Sequence, residues 1–277
     1  MSAWGRLVVR SRPRFWLYLA GPVLVGLAYG ADSIGEAFSP IGLLLFAFFL
    51  VPANVFLYGI NDIFDVDVDR QNPKKDNREA RYRGDRLTRI AVTVCGALAL
   101  GLLVFVPTGV IPWIVGFLLL GTAYSAPPFR LKTRPPLDSV SNGLYILPGV
   151  AGYVAVAGVL PPLLAIVGAW FWAMAMHTFS AIPDIRPDRE AGIRTLATEL
   201  GKRGALVYCG GTWLLATLAF GVLSPLAGGL MAVYPALVAV IWIADLPVDR
   251  AYWWFPGINA MAGMVLTLGG LWGLLYG

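Results

Sequence analysis

The chain has 277 residues, of which 58% are hydrophobic and 13% charged, with a formal net charge of +5. Water-soluble domains carry about a quarter of their residues as Asp, Glu, Lys and Arg, so this composition excludes an ordinary soluble enzyme and points to a chain dissolved in lipid. The basic excess comes without a recognisable nucleic-acid module, which leaves membrane topology and anionic ligands or membrane lipids to explain it and removes nucleic acid from the expected partners.

A helix rising about 1.5 Å per residue needs about 20 apolar residues to cross a hydrocarbon core of about 30 Å. In chain order, nine stretches approach that length: Phe15–Ala31, Ile41–Ile60, Arg89–Val106, Val110–Ser125, Ser139–Gly158, Pro162–Ile182, Gly204–Ser224, Leu226–Ala244 and Pro256–Tyr276. The expected fold class is all-α, a polytopic membrane bundle of nine transmembrane helices. Gly and Pro within several spans are compatible with this, because neighbouring helices can satisfy the freed backbone groups.

Charge fixes the expected orientation. Arg6, Arg10, Arg12 and Arg14 precede the first span, eight basic residues lie between positions 61 and 89, and all 21 basic residues fall on alternate connections. The positive-inside rule makes those connections cytoplasmic, with the N-terminus inside and the C-terminus outside a prokaryotic cell membrane. No cleavable signal peptide is expected, since the arginine-rich start runs into a long span. Cys95 and Cys209 stand alone in spans and read as small buried apolar residues. Trp253 and Trp254 read as interfacial anchors, and other rings could line a pocket that shields a carbocation.

A single transmembrane domain over residues 1–277 is expected, with two cytoplasmic segments, about 61–88 and 183–203, too charged to sit in lipid. Each opens with acidic residues four apart. The first reads Asn61-Asp62-Ile63-Phe64-Asp65-Val66-Asp67-Val68-Asp69. A continuing helix stacks Asn61, Asp65 and Asp69 on one face with Asp62 beside them. Crowded carboxylates repel unless a cation is shared, and hard oxygens suit magnesium; the plain alternative is a solvated acidic loop balanced by Lys74, Lys75 and Arg78. The second pair, Asp184 and Asp188, lies 119 residues further on with the same spacing, which suggests two four-helix halves of similar design plus a ninth helix. A helix over Asp188–Leu200, ending near Gly201, is expected to lie across the mouth of the bundle.

Two acidic pairs amid arginine and lysine suggest a diphosphate bridged by magnesium, with metal ligands drawn from Asn61, Asp62, Asp65, Asp69, Asp184 and Asp188. Asp65, Asp69, Asp184 and Asp188 are the candidate catalytic residues. Arg12, Asn61, Lys74, Arg78, Tyr124, Lys132 and Arg189 are candidate diphosphate contacts, Lys132 being equally readable as a topological anchor. His177, the only histidine, stands seven residues before Asp184 and is either a hydrogen-bonded structural residue or a proton-transfer group. Asn54, seven before Asn61, and Asn142 are expected to face the interior.

Asn61-Asp62-x-x-Asp65-x-x-x-Asp69 resembles the first motif of the UbiA superfamily of intramembrane prenyltransferases. Asp184-x-x-x-Asp188 followed by Ala191-Gly192-Ile193-Arg194-Thr195-Leu196 is similar to its second motif, Tyr124-Ser125 with Lys132 to the segment between them, and Arg12-Pro13 to the family start. Pro187 inside the second motif, and Arg186 before it, are mild departures. The resemblance covers nearly the whole chain. It implies nine helices around a central cavity capped by the cytoplasmic segments, and magnesium-dependent ionisation of a prenyl diphosphate. The run from His177 to Asp184 and the block from Tyr124 to Lys132 are most similar to the lycopene elongase branch, which implies dimethylallyl diphosphate as donor and lycopene as acceptor on the way to fifty-carbon carotenoids. A quinone precursor, chlorophyllide or geranylgeranylglyceryl phosphate is the alternative acceptor. A transporter or lipid-binding membrane protein is the alternative of another class, and magnesium-dependent diphosphate release separates the two, since a carrier releases none.

Overall fold

The computed structural model describes residues 11–65 and 86–277, and every regular element among them is helical. In chain order the α-helices are α1 (Trp16–Gly30), α2 (Ile34–Ala37), α3 (Pro40–Leu50), α4 (Pro52–Phe64), α5 (Arg86–Leu102), α6 (Ile111–Ser125), α7 (Leu137–Val140), α8 (Leu147–Ala157), α9 (Leu163–Ala181), α10 (Ile185–Glu190), α11 (Leu196–Leu223), α12 (Pro225–Met231), α13 (Val233–Ile243) and α14 (Val248–Tyr276). Seven helical stretches are long and apolar enough to cross a membrane: Ile34–Phe64, Thr108–Ser125, Leu137–Ala157, Leu163–Glu190, Leu196–Leu223, Pro225–Ile243 and Val248–Tyr276. The other two expected spans form α1 and α5, of 15 and 17 residues. Val104, Leu226 and Ile243 are each more than four-fifths exposed. Apolar surface on this scale is costly against water and suits acyl chains, so the chain is a multi-pass membrane protein.

Several spans expected as single helices are broken, each at a residue with a physical reason to break them. Pro52 offers no amide, and the second span divides at Val51 into α3 and α4. The Asn54 amide closes that break by donating to the Phe49 and Leu50 carbonyls, both at 3.0 Å. Asn54 is fully buried, so its role in the structure is to satisfy the end of α3. The span expected over Ser139–Gly158 comprises α7, a 3-10 stretch Ser141–Tyr145, and α8. There Ser141 Oγ donates to the Leu137 carbonyl at 2.6 Å, and Asn142 Nδ2 donates to that of Asp138 at 2.5 Å. The helix expected over Asp188–Leu200 is also corrected. α10 ends at Glu190, Gly192 turns left-handed (φ 69), and α11 starts afresh behind a Thr195–Thr198 capping box. The expected boundary at Gly201 is present as a break inside α11, with φ 67 and ψ 173. α14 starts at Val248 and runs through Pro256, eight residues earlier than expected; Trp253 and Trp254 stand exposed on its first turns.

The described chain clusters into two units. The first comprises Met1–Arg130, Leu147–Val159 and Thr267–Gly277, and the second Leu131–Ile146 and Leu160–Leu266. The first unit is organised by the close approach of α1 and α8. Gly26 and Gly30 stand one turn apart on α1. A Cβ on Gly26 would collide with the Gly149 carbonyl, one on Gly30 would come within 2.9 Å of the Tyr153 carbonyl, and one on Gly152 within 2.8 Å of the Val23 carbonyl. Lipid gives no hydrophobic drive to bring helices together, so this backbone contact, permitted by small residues, is what holds the pair.

The second unit is built on α9 against α11. Phe179, Trp213, Tyr234 and Phe255 form a buried ring cluster, with the Phe179 and Phe255 centroids 5.1 Å apart and those of Trp213 and Tyr234 5.3 Å apart. The polar tips are provided for: the Trp213 indole donates to the Trp172 carbonyl at 3.2 Å and the Tyr234 hydroxyl to Asn259 Oδ1 at 2.9 Å. Both free cysteines are buried, as expected of small apolar residues.

Gly26→Leu is expected to destabilise the α1–α8 pair by about 1–3 kcal/mol, seen as a lower melting temperature in detergent. Gly21→Leu, on the same helix but with nothing within 4 Å of its Cβ position, should leave it nearly unchanged.

Candidate functional site

The first acidic motif lies at the end of α4, in the first unit. α4 stops at Phe64, and Asp65 takes the C-cap position with φ −107 and ψ 7. The helix expected to carry the motif onward therefore ends one residue before its first repeat. Asp67, Asp69, Lys74, Lys75 and Arg78 lie outside the described residues. Each described polar member of the motif is held by a partner distant in sequence. Ser125 Oγ, at the end of α6 and fully buried, donates to Asn61 Oδ1 at 3.0 Å. Arg12 Nη2 stands 3.4 Å from Asp62 Oδ1, and the Arg12 guanidinium sits 4.7 Å from the centroid of the Tyr58 ring. Arg130 Nη2 donates to the Phe64 carbonyl at 3.1 Å and lies 3.6 Å from Asp65 Oδ1. A guanidinium at a helix C-terminus meets orphan carbonyls and the negative end of the dipole together.

Arg12 and Arg130 share a backbone peculiarity. Their φ values are 52 and 46, in the left-handed region that costs an ordinary residue about 1–2 kcal/mol. Both bring a cation to the same short acidic run. Arg12 is among the residues expected here, whereas Arg130, between Tyr124 and Lys132, is not. The signal was present as an arginine beside two prolines, Pro127 and Pro128; its pairing with Asp65, 65 residues away, is a tertiary fact.

The second motif belongs to the second unit. Asp184 closes a 3-10 turn, Ile182–Asp184, and Asp188 follows one turn on in α10; both are half-buried. The Ile193 amide returns to the Asp188 carbonyl at 2.8 Å and tightens the loop behind them. Arg189, expected at a diphosphate, instead directs Nε and Nη2 onto the Thr198 carbonyl, the Nε bond measuring 3.1 Å. Thr198 precedes the Gly201 break by less than one turn, so this arginine serves the interrupted helix. Lys132 lies in a 3-10 turn, Leu131–Thr133, of the same unit.

Sequence reasoning missed Asp138. This carboxylate is 1% exposed; its Oδ2 accepts the Leu196 amide at 2.8 Å and lies 3.8 Å from His177 Nε2. His177 is thus placed beside a buried acid rather than standing alone. In the sequence, Asp138 follows a Pro-Pro pair before an apolar stretch and looks like one more loop charge.

Among the described residues, no three His, Cys, Asp or Glu side chains converge as a metal-binding group. The donors present are nonetheless of the kind magnesium takes. Asp65, Asp184 and Asp188 are carboxylates, and Asn61 brings an amide oxygen, Oδ1, which accepts from Ser125 Oγ. No sulfur or imidazole belongs to either motif.

Residues 19–274 match the model of the UbiA prenyltransferase family. The chain is 58% identical over 271 residues to a lycopene elongase/hydratase of Haloferax volcanii, covering 98% of this chain and 90% of the relative. It is 56% identical over 271 residues to a lycopene elongase/hydratase of Halobacterium salinarum, covering 98% of each. Among solved structures, a UbiA homologue of Archaeoglobus fulgidus bound to GPP and Mg2+ superposes with a TM-score of 0.75 at 23% identity, over 96% of this chain and 99% of that one. At that identity the likeness establishes a common fold.

Arg189→Ala is expected to lower stability by about 1–3 kcal/mol through the lost charge-assisted hydrogen bonds to Thr198. A thermal melt in detergent reads this, and Arg189→Lys should recover part of it.

Proposed function

Since the chain belongs to the UbiA prenyltransferase family, we propose that it transfers a dimethylallyl group from dimethylallyl diphosphate to lycopene, toward fifty-carbon carotenoids. The observation that carries this reading is the full-length relation to the two archaeal lycopene elongase/hydratases. Membership of a transferase family also sets aside the carrier reading.

In this reading Asn61, Asp65 and Asp69 of the first motif and Asp184 and Asp188 of the second offer hard oxygens for magnesium. When bound, magnesium draws charge from the departing diphosphate. Asp62 orients Arg12. Arg12, Lys74, Arg78, Arg130 and Lys132, with the Tyr124 hydroxyl, receive the phosphate oxygens that remain, arginine by its fork and lysine as a point charge. The bond from dimethylallyl C1 to the bridging oxygen breaks, and diphosphate leaves with the electron pair. An electron-rich double bond of lycopene supplies the pair for the new C–C bond. The resulting cation loses a proton, or takes up water and then loses one. The apolar helices keep stray water from the allylic cation. Residues 1–277 act as one catalytic domain with cytoplasmic segments at about 61–88 and 183–203. α1 and α5 are the eighth and ninth crossings around the substrate chamber, and the N-terminus lies inside a prokaryotic cell membrane with the C-terminus outside.

Expression in cells that make lycopene is expected to yield carotenoids heavier by five-carbon units, read by mass spectrometry. Asp65→Ala and Asp184→Ala should each lower conversion by about a hundredfold or more at equal protein level, the scale of losing charge stabilisation in a transition state. Unchanged conversion in both variants, or no heavier carotenoid with the wild-type chain, would overturn the reading.

A further inference from the structure

Burying a carboxylate in an apolar bundle is expensive unless its contacts repay the lost hydration. Asp138 is 1% exposed, and its mount is tied on several sides. Its own carbonyl accepts Asn142 Nδ2. The next residue, Ser139, donates to the Met174 carbonyl at 3.0 Å, meets the Tyr208 hydroxyl at 2.9 Å, and accepts from Thr178 Oγ1 at 3.1 Å. The backbone around Asp138 is thereby fixed to α9 through Met174 and Thr178 and to α11 through Tyr208.

From this mount, Oδ2 reaches two points. One is the Leu196 amide, 2.8 Å away, at the first residue of α11. The other is His177 Nε2, 3.8 Å away, near the end of α9. These points flank the second acidic motif: His177 precedes Asp184 by seven residues, and Leu196 follows Asp188 by eight. One oxygen thus accepts a hydrogen bond where the chain leaves the segment carrying both aspartates and lies 3.8 Å from the imidazole where the chain enters it. Further ties of this segment include the Ile193 amide to the Asp188 carbonyl and Arg189 to the Thr198 carbonyl.

We propose that Asp138 is a positioning residue that gathers the two ends of the segment carrying Asp184 and Asp188, and so sets those carboxylates for a metal-bound diphosphate. This rests on the reading of Asp184 and Asp188 given above. Residues that orient metal ligands without touching the metal commonly change affinity by about 10–100-fold.

The test uses purified full-length protein in detergent, Mn2+ with inorganic pyrophosphate as the probe, free Mn2+ read by electron paramagnetic resonance, and a thermal melt in parallel. Asp138→Ala is expected to weaken pyrophosphate-dependent Mn2+ binding about tenfold and to raise KM for the prenyl diphosphate more than it lowers kcat. Asp138→Asn, whose amide oxygen still accepts the Leu196 amide, should recover most of the binding. A second variant guards against misfolding. Leu196→Pro removes the donated N–H and sets the ring Cδ against Asp138 Oδ2, at a first helical position where proline is tolerated, behind an extended Thr195 (φ −131, ψ 165). It too should weaken binding severalfold while the melt is preserved. Wild-type binding in Asp138→Ala or in Leu196→Pro, whatever the melting temperature, would overturn the proposal. Asp184→Ala separates the underlying reading. If that variant also binds like wild type, the diphosphate assignment of the second motif fails; if it loses binding while Asp138→Ala keeps it, only the positioning role fails.

Discussion

In lipid, a broken helix has no water to repair it, and this constraint organises the polar chemistry of the protein. Several helix breaks and helix ends, within the spans and in the charged segments that join them, are met by a particular side chain. Asn54 serves the carbonyls at the Pro52 break, and Arg189 serves Thr198 beside the Gly201 break. Ser141 and Asn142 serve the 3-10 stretch within the fifth span, and Arg130 serves the end of α4 at Phe64. At the end of α4 one such group, Arg130, both serves the backbone and adjoins the first acidic motif.

At the first motif this shared position has a chemical consequence. Arg130, which satisfies the Phe64 carbonyl at the end of α4, also sits near Asp65, and Arg12 sits against Asp62. Charges of both signs are thereby gathered at the close of an apolar helix, where a ligand bearing phosphate and metal together would find oxygens for the metal and forked donors for the phosphate. At the second motif the loop is shaped by a capping box, a left-handed Gly192, and the buried Asp138 that accepts the Leu196 amide. The tight α1–α8 contact and the ring cluster of the second unit give these polar ends rigid supports.

The path from the acidic spacing to the family was short. Asn61-Asp62-x-x-Asp65 and Asp184-x-x-x-Asp188 at the ends of apolar runs implied a prenyltransferase, and the family match over residues 19–274 bears that out. Residue roles were less legible. Arg189 is expected at a diphosphate and Asn54 at the interior, and the structure gives both of them backbone carbonyls as partners. Arg130 and Asp138 each lie in a proline-rich connection where charge is commonplace, and Asp65 stands 65 residues from the first while His177 and Leu196 stand 39 and 58 residues from the second.

The sequence by itself determined that this chain lives in lipid, that its regular structure is helical, and that its chemistry is acidic and gathered at helix ends. Hydropathy, length and charge are local quantities, and each span or motif carries its own. Only the tertiary structure decided where the spans break, which arginine meets which aspartate, and that a buried Asp138 reaches both His177 and Leu196. Those outcomes depend on distances between segments far apart in the chain, which no local pattern encodes.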